Sequence, residues 1–132
     1  TERLSVLRDP EGAAERLAAE QEARLQSEDY AGALSDAREV MQARPRDADA
    51  MWFAARAHIE LQQAAKAVPL LDLVVEIRPE HHAARFRRGV ARHRAQDFEG
   101  AIDDYEKVLL FLPKHRLAKR YLSQANQGLP PS

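Results

Sequence analysis

Three prolines and three alanines in this chain keep one interval. Pro45, Pro79 and Pro113 stand 34 residues apart, and so do Ala33, Ala67 and Ala101. Moved back by that interval, the window from Phe98 to Pro113 lands on Ala64 to Pro79, and then on Tyr30 to Pro45. A fixed period in the range of ~20 to 50 residues is the mark of a stacked array, in which each unit buries its apolar face on the next. A single central core is therefore not the expectation for this chain.

The composition says what the units are made of. Leu, Val, Ile, Ala and Met supply most of the apolar residues, aromatics make up 6% and only five glycines occur. No alternating β-branched run is present, so the expectation is all-α. Cysteine is absent, which excludes a disulfide framework and a thiolate zinc site and leaves cytoplasm and periplasm equally open. The longest apolar run, Val68 to Val75, is broken by Pro69 and Asp72 and falls short of the ~18 residues a membrane span needs. Thr1 to Pro10 holds no hydrophobic stretch of signal-peptide type.

The net charge of −1 hides a polarity. Residues 1–45 carry 6 basic and 10 acidic side chains, whereas residues 82–132 carry 10 basic and 5 acidic ones. A field of this kind steers partners and allows self-association through the charged ends.

In chain order the expected units are residues 13–46, 47–80 and 81–114, preceded by 1–12 and followed by a capping helix over 115–127 and a tail over 128–132. Thr1 to Asp9, with Leu4, Val6 and Leu7, reads either as the tail of an earlier repeat or as a short N-terminal cap. The first helix of the first unit, about 12–27, carries Leu17, Gln21, Ala23, Arg24 and Leu25 and is the most polar. Asp29 and Asp97 precede the second helices of their units, where they can cap orphan amides. The middle unit lacks such a residue at Gln62 to Ala64. Its Pro69 predicts a late start near Lys66 to Val68, or a kink, because proline is comfortable only in the first turn.

A 34-residue helix–turn–helix with a closing proline resembles the tetratricopeptide repeat family over about 13–115. The resemblance implies a right-handed α-solenoid of three repeats with flanking helices, and first helices that line a concave groove. The small residue where the two helices of a repeat touch is Gly89, Ala55 and, unexpectedly, Gln21, which argues against tight packing of the first repeat. Where the family tends to place an aromatic, a leucine and a tyrosine, the third repeat has Arg85, Arg88 and Arg92. Asp72, Glu76 and Asp103 are the acids expected to pair with them, with a partner-facing role as the alternative.

By the same resemblance the groove is lined by Ala18, Glu22 and Leu25, then Trp52, Phe53, Arg56 and Ile59, then Phe86, Arg87, Val90, His93 and Arg94. Aromatics flanked by arginines suit an extended or helical acidic peptide. Trp52 and Phe86 are each expected either in the groove or buried between repeats. Some members clamp a chaperone's C-terminal carboxylate with two lysines, two asparagines and an arginine. The matching positions here are Ala18, Glu22, Phe53, Ala83 and Arg87, of which only Arg87 agrees.

Other chemistries find little support. His81 and His82, with His58 and His93, lack a carboxylate at metalloenzyme spacing and read as solvated surface histidines, so no metal is expected. The near-neutral pI of 6.5 and the lack of interleaved aromatics argue against nucleic acid. No phosphate loop, nucleophile elbow or Ser–His–acid spacing points to an enzyme or a cofactor. The expected function is a non-catalytic scaffold that binds a protein or peptide, of acidic character, in its groove. The alternative is a structural spacer in a longer superhelix of an envelope, secretion or polymer-export assembly.

Overall fold

The computed structural model describes residues 13–132, and the reading of Thr1 to Asp9 lies outside them. Seven helices occur among the described residues and no strand: α1 Ala13–Gln26, α2 Tyr30–Ala43, α3 Ala48–Glu60, α4 Ala64–Ile77, α5 His82–Arg94, α6 Phe98–Phe111 and α7 Arg116–Asn126. Helices α2, α4 and α6 begin at Tyr30, Ala64 and Phe98, at the interval the sequence announces. They stack as a right-handed α-solenoid in which each helix packs on its neighbours in sequence. The core is accordingly a chain of small clusters rather than one centre.

Local signals explain the helix boundaries. Asp29, Asp47 and Asp97 each accept a hydrogen bond from the backbone N–H three residues on, at 3.0 Å. His81 and His115 do the same with Nδ1, accepting from Ala84 and Ala118 at 3.1 Å. Gln63 opens α4 without a side-chain cap, as the missing Asp foretold. Each first helix closes on a left-handed residue, Glu28, Gln62 or Gln96, with φ near +65°. The next amide reaches back across the last turn, as in Asp97 to Arg92 O at 2.8 Å.

Helix α4 does not start late. It begins at Ala64, and Pro69 lies inside it. The first turn tightens instead, with Lys66 N–H donating to Gln63 O at 3.0 Å. Pro69 and Ala65 are both exposed, so the carbonyl that loses its helical donor faces water.

As expected from Gln21, the first repeat is the loosest among the described residues: α1 and α2 approach each other at fewer points than the paired helices of the other two repeats, although Gln21 itself is buried at 2% exposure. The facing helix carries Tyr105, Leu71 and Ala37 at equivalent positions in the third, second and first repeats, opposite Gly89, Ala55 and Gln21. Bulk that one helix gives up the other supplies. The cost is polar: Gln21 Nε2 is buried with no hydrogen-bond partner among the described residues.

Candidate functional site

The arginines of α5 are taken up inside the array. Arg88 grips Asp104 through Nε at 3.0 Å and a second guanidinium nitrogen at 2.7 Å, and its third nitrogen reaches Asp72 at 3.1 Å. Arg92 donates to Asp104 Oδ2, the oxygen that also accepts from Arg88 Nε, at 3.1 Å and lies 3.5 Å from Asp72. Asp72 was expected. Asp103 was not the partner: it turns outward to Lys107 at 3.1 Å, because one step along a helix rotates a side chain by about 100°. Asp104 is fully buried, and its two guanidinium partners are what make that burial tolerable. Burial pulls the Arg88 guanidinium down, but the hydrogen bonds and charge of Asp104 outweigh it and leave Arg88 above its ordinary value. The Nε of Arg85 is buried without a hydrogen-bond partner among the described residues.

The histidines are structural rather than solvated. His81 caps α5 and lies 4.8 Å from the ring of Trp52, and His82 stacks on Phe111 at 4.9 Å. His58 is buried, with Nδ1 2.8 Å from Gln63 Oε1. His93 is buried between Tyr105 O–H at 3.0 Å and Leu129 O at 2.6 Å. A carbonyl can only accept, so His93 Nε2 carries a proton, and in the neutral ring Nδ1 accepts from Tyr105. Among the described residues, no group of three His, Cys, Asp or Glu side chains is placed to hold a metal.

Of the residues assigned to the groove, Phe53, Ile59, Val90 and His93 are buried and pack within the array. Their repeat positions face the neighbouring helices more than solvent. Phe86 is half-buried against His115 at 4.6 Å and Tyr121 at 6.0 Å, so α7 covers it. Trp52 is half-buried at the joint between the second and third repeats, with the Arg56 guanidinium 5.3 Å from its ring centroid.

What stays open is a cleft of about 120 Å³ lined by Leu25, Tyr30, Arg56, Glu60 and Arg87. Arg56 makes a two-pronged pair with Glu22 at 2.5 and 3.1 Å, and those hydrogen bonds hold the Glu22 carboxyl below its ordinary value. Arg94 donates to Ile59 O at 3.4 Å. Arg87 is less well matched. Its ion pair with Glu60 spans 4.0 Å, and its pKa is pulled down by burial and then by the charge of Arg56. Glu60 and Tyr30 were not assigned to the site from sequence. Glu22 to Arg56 and Glu60 to Arg94 are opposite charges one repeat apart, and stacked first helices bring such positions to the same height. That spacing was the signal that could have found Glu60; none pointed to Tyr30.

Comparison with known proteins agrees with this architecture. Residues 24–92 match one Tetratricopeptide repeat profile, and residues 74–116 match a second. FK506-binding protein-like from Mus musculus is 47% identical over 53 residues, which are 40% of this chain and 15% of that protein. Peptidyl-prolyl cis-trans isomerase FKBP4 from Homo sapiens is 33% identical over 75 residues, 57% of this chain and 16% of that one. This chain thus corresponds to a small part of those relatives. Among solved structures, the first TPR of Spaghetti (RPAP3) bound to HSP90 peptide SRMEEVD has a TM-score of 0.80 and 28% identity, covering 86% of this chain and 90% of that one. The Sgt2 TPR domain from Aspergillus fumigatus has a TM-score of 0.78 at 23% identity, covering 89% and 80%, a likeness of fold. With more than half its length matched by one profile and its helices in the same stacked order, the chain belongs to the tetratricopeptide repeat family.

Proposed function

We propose that this protein is a non-catalytic interaction scaffold whose concave face holds an acidic peptide or an acidic partner helix. The observation that carries the reading is the setting of Arg87: a half-buried guanidinium at the open cleft, beside the positive Arg56, with its counter-ion 4.0 Å away. A carboxylate entering the cleft relieves that repulsion and gains a charge-assisted hydrogen bond. Trp52 and Tyr30 flank the arginines and offer aromatic surface to the rest of the peptide.

The peptide SRMEEVD, seen with the first TPR of Spaghetti (RPAP3), is the natural first probe. Because Ala18, Glu22, Phe53 and Ala83 stand at the lysine and asparagine positions of the carboxylate clamp, the acidic side chains rather than the terminal carboxylate would carry binding here. Titration followed by Trp52 fluorescence tests this. The amidated peptide is expected to bind within about threefold of the free acid, and Arg87→Glu to weaken both by at least about tenfold. A folded Arg87→Glu protein that binds as tightly as wild type, or equal binding of a peptide with Lys for both Glu, sinks the reading.

A further inference from the structure

Helix α7 exposes a face that α5 keeps covered. Lys119, Leu122, Ser123 and Asn126 follow Arg85, Arg88, Gly89 and Arg92 by one repeat. In the third repeat α6 packs on those positions: Tyr105 lies against Gly89, and Asp104 sits between Arg88 and Arg92. In α7 the same four, with Leu109 of α6 and Gln127, line an open cleft of about 330 Å³. Residues 128–132 do not fill it. The left-handed turn that leads from first helix to second in each repeat, at Glu28, Gln62 and Gln96, would fall a fourth time on Pro130. Proline cannot adopt positive φ. The left-handed turn comes two residues early, at Gly128, and the tail returns to His93 through Leu129 O and to Gln124 through Ser132.

We propose that this cleft is a docking slot for an amphipathic helix of a partner protein, acidic on its polar side, lying on α7 as α6 lies on α5. Three features define the occupant. Small Ser123 leaves room for a large side chain, as Gly89 does for Tyr105. Leu109 and Leu122 supply an apolar floor. The charged residue in the lining is Lys119, Arg116 precedes it by about one turn of α7, and residues 107–132 carry no Asp or Glu. A second copy of α7 would bring like charges together, so complementarity selects an acidic partner.

The test uses a stapled helical peptide with the sequence of Phe98–Phe111, this chain's own acidic second helix, titrated into the isotope-labelled full chain and followed by NMR. Shift changes are expected to cluster on Leu109, Lys119, Leu122, Ser123 and Asn126. Ser123→Tyr and Lys119→Glu are expected to weaken at least about tenfold the binding read from the shifts of these α7 residues, while Arg87→Glu, which acts on the concave cleft, leaves the titration of those same shifts unchanged. Both α7 positions are exposed, and circular dichroism of the variants checks that they fold. The proposal is overturned by the absence of shifts at millimolar peptide, by shifts confined to the concave face, or by undiminished binding to Ser123→Tyr. It is equally overturned if sedimentation shows the chain pairing with itself through these residues. Loss of the Arg87-dependent site alone would leave this slot standing, so the two readings fail separately.

Discussion

Gly89 lies so close to the ring of Tyr105 that a Cβ added to the glycine would stand 2.8 Å from Cε1 and 3.2 Å from the Cβ of Asp104. Neither neighbour can retreat. Tyr105 is fully buried and tied to His93, and Asp104 is held by two arginines. Gly89→Ala is therefore expected to cost about 1–3 kcal/mol, read from the urea midpoint. The second repeat solves the same contact with Ala55 and Leu71. The double variant Gly89→Ala/Tyr105→Leu should accordingly lose clearly less than the sum of its single changes, and strict additivity would show that the two helices do not trade bulk here.

Removing the carboxylate of Asp104 leaves two guanidinium groups facing a closed interior, with only the half-exposed Asp72 to share. Asp104→Ala is expected to lower stability by about 3–5 kcal/mol, the usual cost of breaking a buried pair from one side. Asp103→Ala, one residue away and exposed, should change it by less than about 0.5 kcal/mol. Equal effects at the two positions would contradict the burial pattern.

The cap at His81 makes stability depend on pH. Its Nδ1 accepts from Ala84 N–H and so must be unprotonated. Burial, and then the charge of Arg78, hold its pKa below the ordinary 6.5. A depressed folded-state value means that the contribution is full above the ordinary value and is lost as pH falls through the lower one. Wild type should therefore lose stability on acidification below about pH 6.5 more steeply than His81→Asp, which keeps the cap that Asp47 makes at the equivalent position. Chemical denaturation at a series of pH values compares the two slopes, and parallel slopes would refute the role of His81.

Left-handed Glu28, Gln62 and Gln96 each carry a side chain where only glycine is unstrained. Gln96→Gly is expected to raise stability by up to about 1 kcal/mol, offset in part by the extra freedom of glycine in the unfolded chain. A β-branched residue such as valine at Gln96 should do the reverse. Thermal unfolding of the pair gives the sign.

Much of this molecule was legible without coordinates because a repeat writes its contacts into the sequence at a fixed spacing. The period of the prolines and alanines determined the helix order. Asp29 and Asp97 marked their helix starts, and the missing acid before Ala64 marked the one start without a side-chain cap. Asp72 was recognisable as a partner for the arginines of α5 because charge and approximate height suffice for that choice. Tertiary structure alone decided between Asp103 and Asp104, since a turn of about 100° separates water from the interior and both residues fit the same pattern. It also decided that Phe53, Ile59, Val90 and His93 are packed while Arg87 stands at the open cleft, and that His81 caps a helix. The reason is the same throughout. A sequence period fixes which positions are equivalent, whereas burial and pairing depend on what the neighbouring helix places opposite each one, and in this array that differs from repeat to repeat.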